Sequence, residues 1–324
     1  MELSYPEKAS ERDRWILARR SDRAVLKPRE PYGFFQEEER SSEGQIVPVN
    51  TVLLTNRECP FRCVMCDLWR NTLTESVPTG AIPDQIDFAL ARLPQAWVAK
   101  LYNSGSFFDT QAIPVEDYEA IAARLQGFER VIVECHPALI GKHALEFRDL
   151  LAGKLEVAMG LETAHEGVLE KLNKRMTLGQ FTAAADYLQR NGIDMRAFIL
   201  VQPPFMRKEE AVHWAKRSIE FAFDCGATAA TLIPTRGGNG AMEMLSEMGE
   251  FEPPDLSVLE SALVSGLRSN RGRVFADLWG VKHGSECAHC FDARVARLRA
   301  MNLSQELADT VHCDKCEDGV GRTI

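Results

Sequence analysis

Cys59-Pro60-Phe61-Arg62-Cys63-Val64-Met65-Cys66 places three thiols at gaps of three and then two residues, just after the strand-like run Val52-Leu53-Leu54-Thr55. That spacing wraps thiolates around one corner of an iron–sulfur cluster. A cubane [4Fe–4S] cluster normally takes four thiolates, one per iron. Three ligands therefore leave one iron open to something other than protein. A zinc knuckle, or a disulfide pair with one spare thiol, is the plainer alternative.

Outward from this segment, short apolar runs alternate with amphipathic stretches. The runs are 51–55, Val98–Tyr102, Val131–Val133, Leu155–Met159, Arg196–Val201 and Ala229–Ile233. Between them lie helical patterns such as 208–224, where Val212, Ala215, Ile219 and Ala222 share one face before Gly226 ends the helix. Strand–helix alternation repeated six times predicts a parallel sheet with right-handed crossovers, an α/β fold of the partial (β/α)6 TIM-type barrel class. The expected organisation is a polar N-terminal leader over 1–45, the barrel over 46–270, and a C-terminal four-cysteine metal-binding lobe over 271–324. In such barrels the active site forms at the C-terminal ends of the strands. Those ends carry Thr55-Asn56, Asn103-Ser104-Gly105-Ser106, Glu134, Glu162-Thr163, Gln202 and Thr235-Arg236-Gly237-Gly238.

The chain has 324 residues, of which 45% are hydrophobic and 26% charged, values of a globular protein with a sizeable core. Its apolar runs are too short to span a bilayer, and the N-terminus lacks a signal-type apolar segment, so a cytoplasmic protein with no membrane partner is expected. In that reducing setting nine cysteines point to metal or redox chemistry, and seven of them fall within 59–66 and 287–316. The net charge of −9 weighs against a large nucleic-acid substrate. Arg12, Arg14, Arg19, Arg20, Arg23, Lys27 and Arg29 run the other way. They read as a solvated helix balanced by Glu11, Asp13 and Asp22.

The cysteine triad and its preceding strand resemble the radical S-adenosylmethionine (SAM) superfamily, with Met65 where an aromatic residue usually stands. The order LYNSGSFFD, VIVECHP, EVAMGLET and RAFILVQPPF, over roughly residues 45–235, is similar to one branch of it. That branch contains the archaeosine synthase radical SAM subunit and, more distantly, the elongator catalytic subunit. The resemblance implies that Cys59, Cys63 and Cys66 hold a [4Fe–4S] cluster whose open iron binds the amino and carboxylate groups of SAM. An electron from the cluster then cleaves SAM to a 5′-deoxyadenosyl radical. It further implies that Asn103, Ser104, Gly105 and Ser106 accept the SAM amino group, although NSGS replaces the commoner Gly-Gly-Glu. Glu134 and Glu162 would accept the ribose hydroxyls, or serve as buried salt-bridge partners. Arg175, in Asn173-Lys174-Arg175-Met176-Thr177, would pair bidentately with the SAM carboxylate and is preferred over Lys174. The loop Gln202-Pro203-Pro204-Phe205 would hold adenine. Archaeosine synthase is a lyase that breaks a carbon–nitrogen bond of a lysine-derived side chain on a tRNA base. A small-molecule, peptide or tRNA substrate, and an electron donor such as flavodoxin or ferredoxin, are thus the implied partners.

Cys287-Ala288-His289-Cys290 and Cys313-Asp314-Lys315-Cys316 supply four more thiolates. Four suit a structural tetrahedral zinc site, and equally a fully ligated auxiliary [4Fe–4S] cluster. His283, His289 and His312 are spare ligands or surface residues, and Cys135 and Cys225 read as buried inert thiols. The glycine-rich Pro234–Gly240 segment reads as a substrate-facing loop with Arg236 available to an anion, or as a plain turn, and Asp277 as a further mouth residue. From another functional class, a non-catalytic zinc-binding interaction protein would make all seven clustered cysteines structural.

Overall fold

The computed structural model describes residues 4–281 and 287–316. One eight-stranded sheet runs in sequence order: β1 (Gly33–Arg40), β2 (Ile46–Leu53), β3 (Val98–Tyr102), β4 (Arg130–Cys135), β5 (Lys154–Glu162), β6 (Asp194–Val201), β7 (Ala229–Pro234) and β8 (Arg273–Ala276). β1 and β2 form an antiparallel hairpin, and every later pair is parallel. The helices are α1 (Ala9–Leu17), α2 (Ala81–Leu90), α3 (Tyr118–Arg124), α4 (Lys142–Leu150), α5 (Glu166–Lys171), α6 (Leu178–Arg190), α7 (Ala211–Asp224), α8 (Ala241–Glu247), α9 (Leu256–Ser269) and α10 (Phe291–Ser304). No helix among the described residues is long and apolar enough to cross a membrane.

The six apolar runs are the strands β2 to β7, which curl into the expected partial barrel. The sheet also gains a strand at each edge: β1 within the stretch read as a leader, and β8 within the stretch read as the C-terminal lobe. The helix expected over 208–224 forms as a short 3-10 turn followed by α7, and Gly226 ends it at φ +86, a backbone that suits glycine.

The outer face of the sheet meets the helices in one continuous core, with Leu101, Val133, Val157 and Ile199 completely buried. The concave face carries a second apolar layer of Val47, Val49, Val98, Ile132 and Ala158, flanked by Tyr102 and Phe198. At the N-terminal end of this lumen the layer becomes ionic. Lys100 Nζ donates to Glu37 Oε1 (2.8 Å) and Glu39 Oε2 (2.6 Å), Arg196 Nε to Glu156 Oε1 (2.7 Å), and Arg130 to Glu156 Oε2 (3.2 Å). Burial alone would raise the Glu39 carboxyl, but the Arg196 and Lys100 charges hold it far below the carboxylate range.

Among the described residues β8 has no strand on its outer side. Side-chain amides at the C-terminal end of α10 stand in for one: Asn302 accepts from Ala276 N and donates to Ala276 O, both at 2.8 Å. Gln305 accepts from Val274 N (2.7 Å) and donates to Val274 O (3.0 Å). The exposed ladder groups of an edge strand are thus satisfied within the chain.

Candidate functional site

β2 delivers the chain to the barrel mouth, where residues 54–67 carry Cys59, Cys63 and Cys66 with little regular structure of their own. Groups from distant parts of the chain hold this loop. Val64 N donates to Leu172 O (3.0 Å), Asn173 Nδ2 to Arg62 O (2.7 Å), and Asn239 Nδ2 to Val64 O (2.7 Å) and Cys66 O (3.1 Å). Asn239 Oδ1 also accepts from Met242 N (2.8 Å), so one side chain caps α8 and fixes the cysteine loop. Glu58 accepts from Arg20 (2.6 Å) and Arg23 and pairs with the Arg62 charge at 3.1 Å. Arg12, Arg20 and Arg23 are therefore not part of a solvated helix face, whereas Arg14, Lys27 and Arg29 are exposed as expected. Arg12 is buried and donates to Pro6 O (2.9 Å) and Glu170 O (2.8 Å), while Arg20 and Arg23 clamp Glu58. Such ion pairs appear in sequence only as scattered opposite charges.

The Phe61 ring stacks on His136 (centroids 3.7 Å, planes 15° apart), tying the cysteine loop to the end of β4. Ala138 N donates to His136 Nδ1 (3.1 Å), so Nε2 carries the proton and donates to Lys174 O (2.9 Å). Burial and the Lys174 charge lower the His136 pKa to about 3, leaving the ring neutral. His136 and Phe61 were not singled out in the sequence, because neither falls in a ligand or acid–base pattern.

The Asn103–Ser106 turn follows β3. Asn103 is completely buried; its Nδ2 donates to Asn56 Oδ1 (3.0 Å), but its Oδ1 has no hydrogen-bond partner. Gly105 lies against Cys59, where an added Cβ would come 3.3 Å from the Cys59 Cβ. Ser104 Oγ bonds the Tyr32 hydroxyl (2.8 Å), and Ser106 Oγ accepts from His136 N (2.9 Å). Glu134, expected at the ribose, instead turns onto this loop and accepts from Asn103 N (2.6 Å) and Gly105 N (3.4 Å). Burial pushes its pKa up to about 7 against the lowering effect of those amides.

Glu162 and Lys174 form a buried pair at 2.7 Å. A Cβ at Gly160 would collide with Glu162 Oε1 and Lys174 Nζ, so glycine on β5 leaves the space this pair fills. Lys174 is the inward cation. Arg175, the residue expected at the SAM carboxylate, points the other way and donates to Ala9 O (2.8 Å) and Asp13 Oδ2 (2.7 Å) of α1. Its φ of +59 accounts for the turn. Gln202, at φ +53, donates to Glu252 O (2.8 Å) and leaves a buried Oε1 unpartnered. Ser104, Glu162, Asn173, Arg175, Gln202 and Phe205 are all non-glycine residues with positive φ around this one mouth. Backbone strain is concentrated there, as it commonly is at functional sites. Arg236, expected to be free for an anion, is held by Trp279 O and faces Asp277 at 3.8 Å.

Cys287, Cys290, Cys313 and Cys316 gather with all their Sγ atoms within 4.8 Å of one another, a group that can hold a metal. Among the described residues no other group of three or more ligands does so, and Cys59, Cys63 and Cys66 are therefore not packed as around a single ion. Burial pushes each of those three thiols up to about 12, so without a metal they stand protonated. Cys135 and Cys225 are buried and unpaired with another cysteine. His289 is exposed, 3.7 Å from Asp314, and His312 is exposed; His283 lies outside the described residues. A cavity of about 480 Å³ around Trp97 and Phe128 sits at the opposite, N-terminal end of the strands, away from the thiols.

No family model matches the chain. The archaeosine synthase subunit beta of Methanosarcina acetivorans is 26% identical over 267 residues, covering 79% of this chain and 77% of the relative. An uncharacterized protein of Methanocaldococcus jannaschii is 24% identical over 307 residues, 88% of this chain and 84% of the relative. Among solved structures, methylornithine synthase aligns with a TM-score of 0.44 and 11% identity, over 79% of this chain and 82% of its own. The resemblance to the archaeosine synthase branch read from the motifs therefore extends over most of the chain.

Proposed function

We propose that the chain is a radical SAM enzyme in which Cys59, Cys63 and Cys66 hold a [4Fe–4S] cluster and leave one iron for SAM. One observation carries this reading. Three thiols, spaced too widely for one ion, sit on a strapped loop beside the buried and unpartnered Asn103 Oδ1. Such an acceptor is costly unless a donor arrives, and the SAM ammonium is one. When bound, the cluster supplies the electron that splits SAM into methionine and a 5′-deoxyadenosyl radical, which takes hydrogen from the substrate. The residues around it bind and orient. Glu134 fixes the Asn103–Gly105 backbone, Lys174 offers positive charge to the SAM carboxylate, and Gln202 Oε1 offers an acceptor toward the nucleoside. Anaerobically reconstituted protein with a strong one-electron reductant, or a donor of the flavodoxin or ferredoxin class, is expected to make 5′-deoxyadenosine. Cys63→Ala should make none; equal yields from variant and wild type would overturn the proposal. Zinc without iron under strict anaerobiosis would favour the non-catalytic alternative.

A second reading, that the substrate is a tRNA, is favoured by the similarity to archaeosine synthase subunit beta. That name also describes one subunit of an assembly. A chain of net charge −9 is poorly suited to gripping phosphates alone, so a partner subunit would supply most of the basic surface. Binding of tRNA that is weak alone, and strengthened and salt-dependent with a partner, is the expected result. Turnover of a free amino acid or peptide without RNA would exclude it.

A further inference from the structure

The four C-terminal cysteines take no part in the chemistry proposed above, and their packing differs from that of the mouth thiols. Cys287 Sγ lies 4.0 Å from Cys313 Sγ, and Cys290 Sγ lies 3.7 Å from Cys316 Sγ. Four sulfurs around one tetrahedral ion, each at a zinc–sulfur bond of about 2.3 Å, stand about 3.8 Å apart. The four thiolates of a cubane, one on each iron, stand roughly 6 Å apart. The observed separations match the single ion and are too short for the cluster. Lys315 N donates to Cys313 Sγ (3.4 Å), the kind of backbone contact that supports a ligating thiolate.

We infer that Cys287, Cys290, Cys313 and Cys316 hold one tetrahedral zinc ion rather than an auxiliary cluster, and that this ion clasps α10 onto the open edge of the barrel. Zinc is favoured over a lone ferrous ion because a four-thiolate site binds it more tightly, and all four positions are protein sulfur, leaving none for a substrate. The clasp follows from position. Cys290 immediately precedes α10 and Cys313 follows it, so the ion closes this segment into a loop. The same helix carries Asn302, which with Gln305 at its C-cap completes the backbone of β8, and Leu298 and Met301, which are completely buried. Arg294 joins it to Glu260 of α9 (2.8 Å). Without the ion, this segment loses the constraint that brings two distant knuckles together.

The test separates the two metal centres in the full-length, anaerobically prepared protein. Metal analysis should find one zinc per chain beside the mouth iron. A Cys59→Ala/Cys63→Ala/Cys66→Ala variant should lose the iron and keep the zinc. A Cys290→Ser/Cys316→Ser variant should lose the zinc, keep the iron, and melt roughly 5–10 °C lower with faster proteolysis within α10. Should that variant fail to fold, titrating the wild-type thiols with an organomercurial is expected to release one zinc per chain. Iron and sulfide retained by the mouth triple variant, or no metal retained by it at all, would overturn the inference. The proposed SAM chemistry would stand or fall separately, on the mouth iron and 5′-deoxyadenosine.

Discussion

Lys174 and Arg175 are neighbours in the chain, yet only one reaches the mouth. Arg175 at φ +59 swings out to α1, and Lys174 is buried against Glu162. Pairing chemistry alone favours the arginine fork, and spacing carries no information about a left-handed backbone, so the sequence pointed one residue too far. Lys174→Met would leave Glu162 buried without its counter-charge and is expected to cost about 3 kcal/mol in urea unfolding. In the proposed enzyme it should also weaken SAM binding at least tenfold. Arg175→Ala, which removes a half-exposed pair, should cost less than about 1 kcal/mol and leave SAM affinity within about twofold. Equal effects of the two on SAM affinity would reverse their assignment. Glu134 gives a pH signature. Its folded pKa, about 7, lies above the ordinary value of 4.5, so the folded state binds the proton more tightly than the unfolded chain. The stability tied to its neutral form is fully present below pH 4.5 and is lost as pH rises through 7. Glu134→Gln keeps an acceptor for the loop amides but cannot ionise. In metal-free protein the variant should match wild type at pH 4 and exceed it by up to about 3 kcal/mol at pH 8. A constant difference across that range would refute the assignment.

Strands β2 to β7 were legible because each is an apolar run buried on both faces, the pattern parallel strands require. β1 was not, since its inward positions Glu37 and Glu39 face lysine and arginine rather than apolar side chains. β8 has only four residues, and its outer partner is a pair of amides on a helix, which reads in sequence as ordinary helical polarity. The cysteine loop was legible in its ligands but not in its supports, which come from residues 20, 23, 173 and 239. Only the fold assembles them. Asn239 is the sharpest case, capping α8 while bonding two carbonyls of the loop. Asn239→Ala should cost roughly 1–2 kcal/mol for the lost cap. If the loop depends on it, the variant should also retain less iron per chain after anaerobic reconstitution and desalting. Full iron retention together with the stability loss would confine Asn239 to capping.

At the scale of the whole molecule, the floor of the barrel is held by charge. β1 and β8 are the two free edges of the sheet, yet Arg273 of β8 donates to Arg40 O of β1 (3.1 Å), and Arg130 donates to Ser42 Oγ beyond β1 (2.9 Å). Arg196 lies between these ties, bonding Glu39 from the antiparallel edge strand (Nη1 to Oε2, 3.0 Å) and Glu156 from the centre of the sheet (2.7 Å). Glu156 is completely buried and Glu39 nearly so, and both carboxyls are held below their ordinary range, so their contribution is complete above about pH 4.5 and is lost as pH falls. Because little water reaches the pair, salt should screen it weakly. Arg196→Met is therefore expected to destabilise the protein by about 3 kcal/mol at pH 7, through two carboxylates left with only Lys100 and Arg130 as close counter-charges rather than through lost packing. The penalty should shrink as pH approaches 4, where those carboxylates can take up protons, and should change little between low and high salt. Glu39→Gln/Arg196→Met should recover part of it, since one of the stranded charges is gone. A loss that is independent of pH, or below about 1 kcal/mol, would mean that the apolar layer above, not the ion cluster, closes the barrel.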